Sequence, residues 1–116
     1  TNVSDRNEKN TITESDLGLD FICKLKPVSY KWNQNEGEDL DTKTHYGLIS
    51  QDVEEVIIET GKTLDDFGAV DKPEKGTMGL SYNEFISPLV KAIQEQQEQI
   101  KKLQENISAL KSQINN

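Results

Sequence analysis

The sequence predicts an α+β fold, in which a small globular part of short helices and a few strands precedes one long C-terminal helix. Two patterns support this prediction. Between residues 16 and 85, short apolar runs alternate with polar residues or recur at helical spacing. From residue 86 onward, apolar residues recur at intervals of three and four, which is typical of a coiled coil. We therefore divide the chain into a segment 1–15, a globular part 16–85 and a coiled-coil helix 86–116.

Composition limits the classes of partner. The chain has 116 residues, a net charge of −8 and only 33% hydrophobic residues, so we expect association of copies to contribute stability. The acidic balance disfavours nucleic acid and anionic membrane surfaces, which attract clustered Lys and Arg. No apolar run approaches the roughly 20 residues that span a bilayer. Residues 1–15 are too polar to predict a signal peptide.

The first part of the globular segment predicts a helix and then a strand. Ser15 or Asp16 can cap a helix that runs to about Leu25. Alternating aromatic and polar residues over 28–32 predict a half-buried strand. Three side chains of these elements are expected to be buried, namely Cys23, Tyr30 and Trp32.

The second part predicts further short elements. Ser50 can cap a helix, and Gly61 stands where a glycine commonly ends one. Ser81 to Glu84 matches a capping box. Proline suits the first helical position, so we expect a kink and then a long helix from Pro88. The predicted ranges are strands over 44–49, 68–70 and 77–80 and a helix over 51–60.

One heptad register holds from residue 86 to the end of the chain. The e and g positions that follow its first heptad are mostly neutral, which favours association of identical chains. Ile at a with Leu at d favours two strands in model coils, whereas a core Gln alters register or copy number. The a positions are Ile86, Ile93, Ile100, Ile107 and Ile114, and the d positions are Leu89, Gln96, Leu103 and Leu110.

Ser4 and Lys9 lie five residues apart in the polar N-terminal segment. A lysine amine can act as general base for a serine hydroxyl once it is neutral. Near pH 7 this requires a pKa about three units below the usual value, through burial or a nearby cation such as Arg6. A spacing of five separates the side chains on a helix or strand, so a turn or another chain must bring them together. Taken alone, the pair also fits a solvated charged segment.

His45 is the only histidine. It is either a proton carrier near neutral pH or a structural side chain at a strand edge. Asp39 and Asp41 resemble the start of a calcium loop, but the glycine and the distal glutamate are not at the required spacing. We therefore predict a solvated acidic loop, with no metal site and no cofactor.

Several segments of the chain together carry a family resemblance. They are Ser4-Asp5 with Lys9 and Ile12, then residues 17–32, then His45 to Glu54, then Leu80-Ser81-Tyr82 with the helix 89–96. In this order they resemble the C-terminal intramolecular chaperone and auto-processing domain of phage endosialidases, tailspikes, tail fibres and neck appendages. One position departs from the pattern, because the family has an arginine three residues after the serine and this chain has Asn7 there, with Arg6 before it.

The resemblance implies a homotrimer that assists an upstream fibre or tailspike of the same polypeptide to fold and then cuts itself off. The bond cut would be Val3–Ser4, with Ser4 as nucleophile, Lys9 as general base and His45 assisting. Asp5 and Arg6 would support the site. It also implies assembly in the host cytoplasm and absence from the mature virion. Two other readings stay open: a coiled-coil oligomerisation module without chemistry, and a receptor-binding domain at a fibre tip.

Overall fold

The computed structural model describes residues 1–115 and has an α+β fold. Short helices and two small antiparallel sheets form the globular part, and one 30-residue helix follows them. The helices are α1 (Leu19–Lys24), α2 (Ser50–Glu59) and α3 (Ile86–Asn115), the strands are β1 (Val28–Tyr30), β2 (His45–Gly47), β3 (Val70–Asp71) and β4 (Gly79–Leu80), and 3-10 turns span Arg6–Glu8, Leu64–Asp66 and Tyr82–Phe85.

Each sheet is a single antiparallel pair. In the first, Val28 lies opposite Gly47, and in the second, Val70 lies opposite Leu80. Two-stranded ribbons are marginally stable in water, so these pairs depend on packing against the helices. No helix within residues 1–115 combines the length and apolarity needed to cross a bilayer.

Three phenylalanine rings form the centre of the core. Phe67 meets Phe21 and Phe85 edge to face, at centroid distances of 5.4 Å and 5.2 Å, which is a favourable aromatic geometry. Helix α2 closes the cluster with its apolar face, where Val53 and Ile57 are the most deeply buried side chains. The core therefore joins α1, α2 and the turn that leads into α3.

Helix α1 begins later than the sequence predicts. Its N-cap is Gly18, which makes no side-chain capping bond, and Ser15 instead donates to the carbonyl of Leu17. The free N–H of Leu19 donates to Glu95 Oε1 of α3 at 3.1 Å. A Cβ on Gly18 would lie 1.9 Å from that same oxygen. The cap thus comes from a distant helix, and only glycine admits it at this distance.

Two side chains that were expected in the core are exposed. Cys23 is exposed because it lies two residues after the buried Phe21, on the opposite face of α1. Trp32 is 61% exposed because β1 ends at Tyr30. Its ring packs edge to face on the half-buried Tyr30, with centroids 5.1 Å apart.

Of the two caps predicted for α2, the N-terminal one is wrong and the C-terminal one is confirmed. Ser50 is the first helical residue and Ile49 is the N-cap, so the predicted serine cap is wrong. Gly61 has the expected left-handed conformation, with φ of 82°. Its N–H bonds to the carbonyl of Ile58, and the N–H of Lys62 bonds to that of Ile57. This pair of bonds is a Schellman motif, which confirms the predicted helix end.

The start of α3 also differs from the prediction. Ser81 makes no side-chain capping bond, and the turn Tyr82–Phe85 runs directly into α3 at Ile86. Pro88 is therefore the third residue of the helix rather than its first. The first-turn N–H groups of a helix have no intrahelical acceptor, so the missing N–H of Pro88 breaks no bond there.

Candidate cleavage site and association surface

A 3-10 turn brings Ser4 and Lys9 together. Asp5 caps this turn, its carboxylate accepting a hydrogen bond from the N–H of Asn7 at 2.9 Å. The turn reverses the chain, and Lys9 Nζ donates to Ser4 Oγ at 2.7 Å. The pair that is too far apart on a regular helix or strand is thus in contact within one chain, without a lysine from another copy.

The surroundings of this pair are fully open to water. Every residue from Thr1 to Glu14 is exposed, including Val3, Ser4 and Lys9. Water stabilises the ammonium form of a lysine, whereas general-base catalysis needs the neutral amine. The geometry of a dyad is therefore present in the single chain, and the burial that would activate its lysine is not.

The two supporting residues have different positions. Asp5 is the cap that shapes the turn, as described above. Arg6 is the first residue of the same turn, and its carbonyl accepts the N–H of Lys9 at 3.2 Å. Both therefore contribute to the backbone geometry that places Lys9 beside Ser4.

Three polar contacts hold the segment after the dyad against the globular part and α3. Glu14 pairs with Lys91 of α3, and Asp16 pairs with Lys62 at 2.6 Å. Hydrogen bonding to these lysines lowers the pKa of both carboxyls and raises the pKa of both lysines. The bond from Leu19 N–H to Glu95 is the third contact. We call residues 14–19 the strap, because they connect the cleavage segment to α3.

His45 lies in a separate aromatic cluster. Its Nε2 is 2.9 Å from Asp41 Oδ2, and its ring stacks on Tyr30 at a centroid distance of 5.5 Å. Asp41 also accepts the N–H groups of Trp32 and Lys43. These bonds, with that from Trp32 the largest cause, lower the pKa of Asp41. The cluster fastens the loop between β1 and β2, and its hydrogen bonds do not include Ser4 or Lys9.

Gly47 explains part of the His-Tyr-Gly-Leu motif. A Cβ at Gly47 would lie 2.5 Å from the hydroxyl oxygen of Tyr82. With glycine there, that hydroxyl accepts the N–H of Leu48 at 2.9 Å. Through Gly47 and Leu48, the motif therefore joins β2 to the turn before α3.

Helix α3 has an exposed apolar face along its whole length. Within the described helix, only Pro88 and Ala92 are buried, both near its start. The heptad residues of α3 are exposed. The large apolar residues at these positions are Ile86, Leu89, Ile93, Ile100, Leu103, Ile107, Leu110 and Ile114. The remaining d position holds the polar residue Gln96, which is also exposed.

No group of three or more His, Cys, Asp or Glu side chains in residues 1–115 is arranged to hold a metal ion. Asp39 is exposed in the loop, and Asp41 is occupied by the bonds described above.

Comparison with known proteins identifies the class. The family model Peptidase_S74, described as chaperone of endosialidase, matches residues 4–62, which is just over half of the chain. The chain belongs to this family, and its role is that of a chaperone domain. A crystal structure described as that of a novel intramolecular chaperone has the same fold, with a TM-score of 0.62 and 21% identity over 83% of this chain and 99% of that one. No curated protein matches the chain significantly.

Sequence reasoning missed the strap and the partner of His45. Glu14 and Lys91 are far apart in the sequence, and no local pattern connects them. The Asp41–His45 pair did leave a signal, because the two residues are four apart at the edge of a predicted strand.

Proposed function

We propose that this chaperone domain trimerises through α3, assists folding of an upstream tailspike, fibre or appendage, and then cuts itself off at the Val3–Ser4 bond. The observation that carries the chemistry is the 2.7 Å hydrogen bond between Lys9 Nζ and Ser4 Oγ. The family match begins at Ser4, the residue that would become the new N-terminus. We place this assembly in the host cytoplasm and expect the released domain to be absent from the mature virion.

The proposed reaction uses the two side chains in turn. Neutral Lys9 takes the proton of Ser4 Oγ, and that oxygen attacks the carbonyl carbon of Val3. The C–N bond to Ser4 breaks, Lys9 returns the proton to the leaving nitrogen, and an ester joins Val3 to Ser4 Oγ. Water then hydrolyses the ester, leaving a carboxylate on Val3 and a free amine on Ser4. No metal or cofactor takes part in these steps.

Association would supply the burial that a single chain lacks. Neutral lysine is favoured where water is excluded or another cation is close. Three copies held by α3 would bring three N-terminal segments to one end of the coil, because a parallel coil aligns equivalent positions. The strap supports this idea, since Glu14 and Leu19 contact α3 directly. Cleavage would then report that three copies have assembled.

The proposed association through α3 also explains how the domain would act as a chaperone. Long-range pairing of extended chains is slow, because closure entropy is lost before any contact forms. A coil that holds three chain ends together raises their effective concentration and removes part of that barrier. Once the fibre has formed, removal of the clamp leaves a product that unfolds too slowly to revert.

A fusion experiment tests the proposal. A carrier domain joined ahead of Thr1 is expressed with the whole chain, and the products are identified by mass spectrometry. We expect two products, one of which begins at Ser4. Ser4→Ala and Lys9→Ala should leave the fusion intact, whereas the matched control Ser108→Ala, at an exposed position of α3 outside the a and d positions, should be cut normally.

The same experiment separates the alternative functions. An intact wild-type fusion that still associates would indicate an oligomerisation module or a receptor-binding domain. Cutting of the Ser4→Ala fusion at an unchanged rate would show that Ser4 is not the nucleophile. His45→Ala distinguishes an assisting role of His45 in cleavage from a purely structural one. Loss of cleavage in a variant that still folds would indicate the assisting role.

A further inference from the structure

An open apolar groove of 660 Å³ lies between α1, the β1–β2 pair and the start of α3. Its walls are mostly hydrocarbon, and it shares Leu89 with the exposed apolar face of α3. The lining side chains that matter here are Ile22, Leu25, Val28, Leu48, Phe85 and Leu89.

The heptad register places this groove on one particular edge of α3. Leu89 is a d position. Phe85 is the last residue of the 3-10 turn that runs into α3, and it falls at a g position when the register is extended back by one residue. Ala92, the next g position, is buried, as Phe85 is. The globular part of the chain therefore covers the g side of the first turns of α3 and leaves the groove open beside Leu89.

In a parallel coil, a g position of one helix faces the e position of the following heptad in the next helix. The residue of a second copy that would face Phe85 is therefore Val90. Val90 is 48% exposed in the single chain. It is also the one apolar residue among the e positions of α3, since the others are Gln97, Gln104 and Lys111.

We infer that the groove of one chain receives Val90 of a neighbouring copy, so that each globular part contacts the coil of the next chain. This inference rests on the proposed parallel association through α3, and it adds a contact that the a and d positions do not provide. Apolar area removed from water stabilises both sides of such a contact. Contacts of this head-to-tail kind close into a ring, as a cyclic trimer requires.

Replacement of Val90 tests the contact. Val90→Gln gives this e position the same residue as Gln97 and Gln104, and the side chain is exposed, so the fold should be unaffected. We expect self-association, measured by sedimentation equilibrium, to weaken at least tenfold. The matched control Gln104→Ala, at an e position distant from the groove, should leave association unchanged. Unchanged association in Val90→Gln would overturn the inference.

Cross-linking gives a readout that does not depend on affinity. In a Cys23→Ser background, Val90→Cys is combined with Ser29→Cys on the groove, and a short bismaleimide is added. We expect covalent multimers that close at the assembly's copy number, and none from the pair Gln104→Cys with Ser29→Cys. Equal yields from both pairs would contradict the inference. Wild-type chains that stay monomeric would refute the proposed association itself, whereas associating chains without a Val90 cross-link would refute only this contact.

Discussion

The globular part and the distal part of α3 are stabilised in different ways. The globular part buries a shared cluster of apolar side chains, including Phe21, Ile57 and Phe85. Beyond Ala92, the described part of α3 buries no side chain and keeps its heptad residues exposed. Isolated helices owe little of their stability to propensity alone. One region is therefore completed within the chain, whereas the other exposes an apolar face that the proposed association of copies would cover.

The largest effect is expected from charges on the apolar face of α3. The double variant Ile93→Asp with Ile100→Asp would place carboxylates in the coil core, where burial of an unpaired charge is strongly unfavourable. We expect association to be lost in sedimentation experiments and far-UV helicity to fall, while near-UV signals of the phenylalanine core persist. The matched control, Gln94→Asp with Lys101→Asp, lies outside the a and d positions and should still associate. Loss of the near-UV signal in the first variant would contradict the separation of the two regions.

Truncation of a core side chain tests how the globular part is stabilised. Ile57 is fully buried, whereas its neighbour Ile58 is 61% exposed. Ile57→Ala should lower the free energy of unfolding by about 2–5 kcal/mol. Ile58→Ala removes the same atoms from the surface and should change it by less than about 0.5 kcal/mol. Denaturant unfolding at fixed chain concentration measures both, and equal effects would show that α2 does not pack as described.

The two regions also differ in how well the sequence predicts them. A long helix over the heptad residues, the glycine that ends α2 and the apolar face of α2 follow from local sequence patterns, and the structure has all three. The start of α1 could not be predicted, because its cap is Glu95, which is distant in the sequence. Trp32 was misplaced because the strand ends at Tyr30, two residues earlier than its alternation suggests.

The candidate cleavage site, too, could be predicted only in part from local sequence patterns. The Ser4–Lys9 spacing marks the pair, but only the turn capped by Asp5 explains how the side chains meet. The catalytic roles themselves stay predictions until cleavage is measured. The strap depends on contacts between residues 46, 76 and 77 positions apart in the sequence, and local patterns do not encode such contacts.

A smaller change should come from the polar core position of α3. Gln96 is the one d position without an apolar side chain, and polar core residues reduce coil stability while specifying register. Gln96→Leu should tighten association by roughly tenfold, which corresponds to about 1.4 kcal/mol. Sedimentation equilibrium would also show whether the copy number changes. Weaker association would indicate that Gln96 makes a specific contact between chains.

The smallest effect on stability is expected at the strap. Hydrogen bonding to Lys91 lowers the pKa of Glu14, so this pair stabilises the fold above the usual carboxyl pKa. That contribution is lost as the pH falls through the lowered pKa, which lies below the usual value of about 4.3. Glu14→Gln should therefore flatten the pH dependence of unfolding on the acid side and slow cleavage at neutral pH.

The matched control for the strap is Glu55→Gln, a substitution on the exposed face of α2. It should leave both the pH dependence and the cleavage rate unchanged. Identical cleavage rates for Glu14→Gln and Glu55→Gln would show that the strap does not position the cleavage segment.

In the proposed function, association of copies activates the Ser4–Lys9 pair. The most direct test is the rate of cleavage of the carrier fusion at a series of chain concentrations, begun from dissociated chains. We expect a rate that rises with concentration and levels off once association is complete, and no cleavage in the Ile93→Asp, Ile100→Asp variant. A rate that is independent of concentration, or normal cleavage by that monomeric variant, would contradict it.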